Sequence, residues 1–455
     1  MRLNSIVAAV VAVGVLVAAG GARAESLTDA LIGAYKNSGL LEQNRATLRA
    51  ADEDVAQAMA TLRPVVNYMA TSTLGFSLSS GNSAVNSDLS ITLEQVLYDF
   101  GASQLGIEAS KETVLATREG LIGVEMQVLL SAVTAFLDVR DAAAQVNLRQ
   151  SNLRLIEQEL RASRDRFEVG EVTRTDVAIA ESRLAASQSG LASAQGNLAQ
   201  ARESYRVAVG RYPGTLSAPP NPPQTARTLE DARTVAVRTH PDIRRAMRQV
   251  TVAELGVKRA EAAIRPTLSI RGSVGVDQDL NNSSSIGLRF GGPVYQGGRI
   301  SSQIRQAQAR RDAQRANLHL VRQNVEQNVG NAWAFLTVAQ ASLAASTEQV
   351  RAATVAFRGV QEEATLGART TLDVLNAEQE LLDARAAQIS ADTNRVQAIY
   401  TLLGAMGLLT VKHLGLGVVT YDPAAYYDAV RDAPTRYVSP QGDKLDRVMK
   451  SLGKK

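Results

Sequence analysis

The chain contains the same sequence pattern twice. Tyr98 and Tyr295 lie in matching segments that are 197 residues apart, and this offset holds without a gap to Gly210 and Gly407. Upstream the offset is 202 residues, and the difference falls in a Gly/Ser/Asn-rich stretch at 79–86, where a loop tolerates insertions. A match of this length and register predicts one structural unit that is used twice.

The duplication defines the expected organisation of the chain. Between the copies, four prolines in a short stretch cannot form a helix and predict an extended linker. We therefore expect a signal peptide (1–24), a first repeat (25–211), a Pro-rich linker (212–227), a second repeat (228–410) and a C-terminal tail (411–455) that either wraps the waist of the molecule or is disordered.

The N-terminus is typical of an exported protein. Arg2 precedes an apolar run from Ile6 to Ala19, and Ala22-Arg23-Ala24 is a cleavage pattern, so the mature chain is expected to begin at Glu25. A membrane anchor is the alternative, but the run is shorter than the roughly 20 residues of a spanning helix. We expect no later stretch to reach that length.

Each copy predicts the same order of elements. In the first copy a helix at about Leu27–Leu62 ends before Pro64, because the residue before a proline avoids the helical region. Two segments of alternating apolar and polar residues then predict strands, at about 66–78 and 88–94, and at 268–277 and 285–290 in the second copy. Helices at about Ala102–Phe167 and Arg174–Val209 follow, joined by a turn at Gly170.

The helices carry a seven-residue repeat. Apolar residues recur from Val177 to Tyr205 and from Leu375 to Leu403, and an alanine row runs from Ala377 to Ala405. Apolar heptads require helical partners. The small side chains of the alanine row allow each helix to pack closely against a second neighbour, so that the helices could form a cylinder. An ordinary antiparallel bundle is the alternative.

The four strands cannot form a closed barrel within one chain. Membrane barrels begin at eight strands, and open sheet edges do not occur in lipid. Several chains would therefore have to share one barrel, with eight strands from two chains or twelve from three. A small soluble sheet packed on helices is the alternative.

Composition argues against several other classes. The 49 Lys and Arg residues nearly balance the 45 Asp and Glu residues, so nucleic-acid binding is not expected. Without cysteine there is no thiolate metal site or Cys nucleophile. His240, His319 and His413 form no catalytic or metal-binding spacing, and His240 before Pro241 is interpreted as a helix boundary. No enzyme, cofactor or metal is expected.

The export signal, the duplicated order of elements and the helix tips resemble the TolC family of outer-membrane ducts. The segments that carry this resemblance are Arg166–Val177, Leu366–Leu375 and the strand-to-helix junction Pro293–Gly298. The resemblance covers about Leu27 to Thr410. It implies a mainly helical fold with membrane β-structure: a coiled-coil α-barrel and a transmembrane β-barrel shared by a homotrimer, with four strands from each chain.

The family also implies a location and partners. The β-barrel sits in the outer membrane, and the α-barrel extends into the periplasm. The helical tips meet a periplasmic adaptor (membrane fusion protein) and an inner-membrane ABC or proton-driven transporter. By resemblance, the residues that dock the adaptor are Val169, Gly170, Glu171, Val172, Leu366, Gly367 and Ala368; ordinary turn residues are the alternative.

A pore constriction is the second implied site. Asp176 and Asp373 each follow a threonine by three residues, a pattern that predicts helix capping. By resemblance, three copies of Asp373 form an acidic ring, which would favour cations and be blocked by multivalent ones. Asn376 occupies the second ring position, where the family has an aspartate.

The gate is the third implied site. Arg369 matches the family's gating arginine, with Thr175 and Asp176 as its partners. Ala364 stands where the best-known member has a tyrosine, which implies a looser closed state.

The cargo stays open at this point. Leu372–Leu382 resembles the branch of the family that serves type I protein secretion, and multidrug efflux is the alternative. Two hypotheses from other classes of protein are less favoured. The strand hairpins argue against a non-porous periplasmic coiled-coil scaffold, and the lack of a catalytic constellation argues against an exported enzyme.

Overall fold

The computed structural model describes residues 24–76, 83–220, 222–432 and 447–448. Residues 1–23, which hold nearly all of the expected signal peptide, lie outside this part, as do tail residues 433–446 and 449–455. The first half contains α1 (Leu27–Asn37), α2 (Gly39–Ala60), β1 (Val65–Phe76), β2 (Ser83–Tyr98), α3 (Ala102–Glu168) and α4 (Arg174–Val209). The second half contains α5 (Leu229–Thr239), α6 (Pro241–Ala262), β3 (Thr267–Asp277), β4 (Asn282–Gly291), α7 (Arg299–Thr365) and α8 (Thr371–Ala405), and α9 (Pro423–Val430) follows.

The first predicted helix is divided into two. Ser38 has an extended backbone between α1 and α2, and its hydroxyl accepts a hydrogen bond from the amide of Leu41 at 3.2 Å. A serine in this position satisfies an N–H group at the start of a helix and favours a new helix over continuation of the old one. His240 does the same between α5 and α6, where its Nδ1 accepts from the amide of Asp242 at 3.2 Å, so its predicted role as a helix boundary is confirmed.

The four strands form one antiparallel sheet in the order β1-β2-β3-β4. Its register aligns the apolar residues of all strands on one face: Tyr68 lies opposite Ile91, Ile91 opposite Val274, and Ile270 opposite Leu288. The other face is polar, with Asn67, Thr92, Ser273 and Ser285 in one row. Such alternation is typical of strands with lipid on one side and water on the other.

The apolar face of the sheet is exposed in a single chain. Tyr68, Ile91, Ile286 and Leu288 are all exposed, and β1 and β4 each have a free edge within the described residues. In a membrane these edges must pair with strands of other copies.

The long helix α3 is the central element of each chain. It has 67 residues, or about 100 Å at 1.5 Å per residue, and packs beside α1 and α2 along one half and beside α4 along the other. The main core lies at mid-length, where Phe136, Tyr205, Leu402 and Leu403 are fully buried. Shorter helices thus run end to end alongside one long helix.

One expectation about α3 is wrong. No stretch of spanning length was predicted after the N-terminus, but by length and composition alone this helix contains an apolar stretch that could cross a membrane. Such a stretch is also typical of a core helix. Its middle residues, including Leu129, Val133 and Phe136, pack within the main core, which accounts for their apolar character.

The described part of the C-terminal tail packs against the waist of the helical region. Glu125 of α3 accepts from the amide of Val411 at 2.7 Å, and the hydroxyl of Tyr35 accepts from the amide of Tyr421 at 3.2 Å. The hydroxyl of Tyr426, in α9, donates to Glu53 of α2 at 2.6 Å. Of the two expectations for the tail, that it wraps the waist of the molecule or is disordered, the described residues 411–432 agree with the first.

Candidate functional site

The chain has two helical tips, one between α3 and α4 and one between α7 and α8. In each tip a glycine with a left-handed backbone ends the first helix: Gly170 has a φ of 79° and Gly367 a φ of 78°. The amides of Glu171 and Ala368 donate back to the carbonyls of Arg166 and Glu363, both at 2.9 Å. This is the usual closure of a helix C-terminus by glycine, and it turns the chain into the next helix.

The next helix of each tip begins with a capping box. Thr173 donates to Asp176 from its amide at 2.9 Å and from its hydroxyl at 2.7 Å, and the corresponding distances from Thr370 to Asp373 are 3.0 and 2.9 Å. The amide of each aspartate donates to the threonine hydroxyl in return. The predicted capping role of both aspartates is therefore confirmed.

These hydrogen bonds also set the charge of the two aspartates. The pKa of Asp176 is lowered chiefly by the Thr173 hydroxyl, and that of Asp373 chiefly by the Thr370 amide, because both donors favour the charged carboxylate. The nearby Arg369 lowers the pKa of Asp373 further. Both tips therefore carry a carboxylate at neutral pH.

The ends of both tips are exposed and partly apolar. Val169 is 71% exposed and Leu366 is 85% exposed, while Gly170, Glu171, Gly367 and Ala368 are also exposed. Val172 is half-buried. Large apolar side chains in such positions are typical of contact surfaces, although single exposed ones are common in any protein.

The predicted constriction and gate residues are distributed over both tips. Asp373 and Asn376 lie in the first turns of α8, and Arg369 lies in the turn before them, where its Nε donates to Glu363 at 2.8 Å. Thr175 and Asp176 lie in the other tip. The helices that carry the two groups are in contact further from the tips, where Arg183 of α4 donates to the Asn376 amide oxygen of α8 at 3.0 Å.

A polar cluster that was not predicted from the sequence lies next to this site. Glu378 is only 3% exposed, and its carboxylate accepts a hydrogen bond from Asn152 of α3 at 2.7 Å. A signal for it exists in the sequence. Glu378 stands on the apolar stripe of α8, between the buried residues Leu375 and Leu382, where a charge is unexpected.

The fold and these tips match known outer-membrane channels. The model of the family "Outer membrane efflux protein" matches residues 33–211 and 234–408. The outer membrane efflux protein BepC of Brucella suis is 34% identical over 453 residues, which cover 96% of this chain and 97% of BepC. The chain therefore belongs to the outer membrane efflux protein family.

More distant relatives agree with this placement. The outer membrane protein TolC of Escherichia coli is 25% identical, over 84% of this chain and 83% of TolC. The proteases secretion protein PrtF of Dickeya chrysanthemi is 24% identical, over 86% of this chain and 90% of PrtF. The crystal structure of the transmembrane channel CusC has the same fold, with a TM-score of 0.75 at 18% identity over 84% of this chain and 92% of CusC.

The family defines the setting of the molecule. TolC-type proteins are homotrimeric channels of the outer membrane with a periplasmic tunnel, and they are not enzymes. They work with periplasmic adaptor proteins and inner-membrane transporters in tripartite export systems. Three copies of this chain supply twelve strands, which resolves the choice between two and three chains that the sequence left open.

Proposed function

We propose that this channel is the exit duct of a type I protein secretion system. Small-molecule efflux is the alternative, second candidate function. The observation that carries the first function is the start of α8, Leu372–Leu382, which resembles the secretion branch of the family. The relative PrtF, named as a protease secretion protein, supports it. The second function is favoured by BepC, which is named as an efflux protein and is the more similar of the two.

In this proposal Asp373 forms the narrowest part of the duct. Three copies of its carboxylate would surround the axis at the periplasmic end, and the capping bonds from Thr370 keep each one ionised. Asn376 adds no charge one turn further along the helix. The ring therefore carries one charge per chain at these two positions, and it attracts cations less than a double ring would.

The gate and the docking tips complete the proposal. Arg369 reaches Thr175 and Asp176 of an adjacent tip when it exchanges its ion pair with Glu363, and this contact holds the duct closed. Ala364 offers no side-chain hydrogen bond to strengthen it. The exposed Val169 and Leu366, with the surrounding residues of both tips, dock the adaptor through apolar contact.

Comparison of culture supernatants from wild-type and gene-deleted cells by mass spectrometry tests the cargo. Loss of one or a few large exoproteins that lack a signal peptide supports type I secretion and identifies the substrate. An unchanged exoproteome together with increased drug sensitivity contradicts secretion and supports efflux. Expression of the gene from a plasmid is the control, because it must restore the wild-type result.

A further inference from the structure

Two helical pairs form the periplasmic half of the chain, and they meet along a seam that combines polar contacts with one apolar cluster around Leu375. We call the contact of α3 (residues 141–160) with α8 (residues 375–393) the pair seam. Away from the tip, Gln145 donates to the carbonyl of Ala386 at 3.2 Å, and Ser390 donates to Asp141 at 3.3 Å. By contrast, α7 packs on α8 through apolar residues such as Ala353, Phe357 and Leu381. Buried polar contacts specify how two elements meet, and a buried polar group that is only partly satisfied costs free energy.

The Glu378 cluster is the most buried polar contact of the pair seam. The Asn152 amide group of α3 donates to one carboxylate oxygen of Glu378 at 2.7 Å, and the Ser187 hydroxyl of α4 donates to the Asn152 amide oxygen at 3.0 Å. One side chain of α8 is thus connected to both helices of the other pair. The second carboxylate oxygen of Glu378 is buried without a hydrogen-bond partner among the described residues.

The position of the cluster connects it to the proposed constriction. Glu378 lies five residues after Asp373 on the same helix, or about 7.5 Å along its axis. Between them, Leu375 packs against Ile156 and Leu160, and Asn376 accepts from Arg183. A helix is stiff over this length. The place at which Glu378 is held therefore fixes the place of Asp373.

We propose that Glu378 is a positioning residue that holds the Asp373 end of α8 against α3 and α4, and that ionisation of Glu378 releases this hold. The inference rests on the proposed role of Asp373 as the constriction. When the hold is released, α7 and α8 move together away from α3 and α4, because the packing within their pair is more extensive than the contact of α8 with α3 and α4.

The charges around Glu378 determine the direction of the pH effect. Burial, together with the like charge of Glu159 on α3, raises the pKa of Glu378 to about 7, although Asn152 and then Arg183 on α4 act against this shift. Arg154 and Arg385 line the adjoining cavity. A released, hydrated Glu378 returns towards its ordinary pKa of 4.5. The neutral form therefore favours the held arrangement, and the hold weakens as the pH rises towards and through about 7.

Single-channel recording of the purified full-length trimer in planar bilayers tests this proposal. For the wild type we expect the open fraction to rise at least about tenfold from about pH 5 to about pH 8, because a shift of one pKa unit changes an equilibrium tenfold. Glu378→Gln keeps an acceptor for Asn152 and cannot ionise, so it should stay closed over the whole range. Glu378→Ala should be open at both ends of the range.

Ser390→Ala is the matched control. It removes one hydrogen bond of the same pair seam, 12 residues further along α8, and should keep the wild-type pH profile. A Glu378→Gln trimer that retains the pH response would overturn the proposal, as would a Ser390→Ala trimer that loses it. The cargo assignment would survive either result. A wild-type trimer without any conductance would instead overturn the duct function and the positioning role together.

Discussion

The carboxylate of Asp373 accepts hydrogen bonds from both the amide and the hydroxyl group of Thr370, at 3.0 and 2.9 Å. One aspartate therefore caps α8 and also supplies the charge of the proposed constriction. The two roles depend on the same threonine. Substitutions of Thr370 can therefore change the charge of the duct without touching the aspartate itself.

Thr370→Ala should weaken the tip and raise the pKa of Asp373. Loss of an N-cap side chain costs about 1 kcal/mol of helix stability. The hydroxyl is one of the groups that lower this pKa, so the carboxylate should lose its charge at a higher pH in the variant. Cation selectivity exists above the pKa of Asp373 and disappears as the pH falls through it. Reversal-potential measurements at decreasing pH should show this loss earlier in the variant, and superimposed curves would contradict the assignment.

Gly367→Ala should destabilise the α7–α8 tip through the backbone alone. An added Cβ meets no atom within 4 Å, but the left-handed φ of 78° costs an L-residue about 1–2 kcal/mol. Hydrogen exchange should become faster at the ends of α7 and α8. Gly196→Ala in α4 is the control, because this glycine also has open space but no left-handed φ, and it should slow exchange locally. Equal effects of the two substitutions would contradict this explanation.

Asp52→Asn should strengthen the attachment of the C-terminal segment at alkaline pH. Asp52 is fully buried, and burial raises its pKa to about 7 despite the opposing charge of Arg118. Since the folded pKa is raised, the charged form costs stability above about pH 7, and this cost is absent well below the ordinary pKa of 3.8.

Limited proteolysis of residues 411–432 measures this effect. The wild type should become more sensitive between about pH 4 and pH 7, the range between the ordinary and the raised pKa of Asp52, whereas Asp52→Asn should not. Glu53→Gln is the control, because it weakens the hydrogen bond from Tyr426 and should increase sensitivity at neutral pH. A variant at Asp52 with the wild-type pH profile would count against the buried charge as the cause.

Ile91→Lys should prevent stable insertion of the trimer. The register places Ile91 on the apolar face, opposite Tyr68 and Val274, and a lysine on the lipid face costs up to about 2–4 kcal/mol in each chain. Thr92→Lys lies on the polar face and should be tolerated. Heat-modifiable trimers in outer-membrane fractions are the readout. If both variants insert equally well, the assignment of the two faces is wrong.

The repeat made most of the fold predictable from the sequence. The two copies should fold alike, so an element recognised in one copy predicts the same element in the other. In this way the repeat located the glycine turns at 170 and 367 and the two strands of each hairpin. The break at Ser38 was missed because helical periodicity continues on both sides of it. At the break the hydroxyl of Ser38 accepts a hydrogen bond from the amide of Leu41, which favours the start of a new helix.

The site was predictable only in part. The tip motifs are local in sequence, so Thr173–Asp176 and Thr370–Asp373 could be recognised as capping boxes. The contacts of Glu378 with Asn152 and Arg183 with Asn376 join residues that are 226 and 193 positions apart. No local pattern reports such pairs. The tail was also undecided, because the tyrosines that attach it contact residues of α1 and α2 far away in the sequence.

Block by a trivalent cation, added to the tip side of the purified trimer in a planar bilayer, tests the central claim most directly. The wild type should be blocked, and Asp373→Asn should require at least about tenfold more cation, because three copies of the carboxylate would form the ring. Asp176→Asn, which changes the same capping box in the other tip, should be blocked like the wild type. Equal block of the wild type and Asp373→Asn would contradict the assignment of the constriction to Asp373.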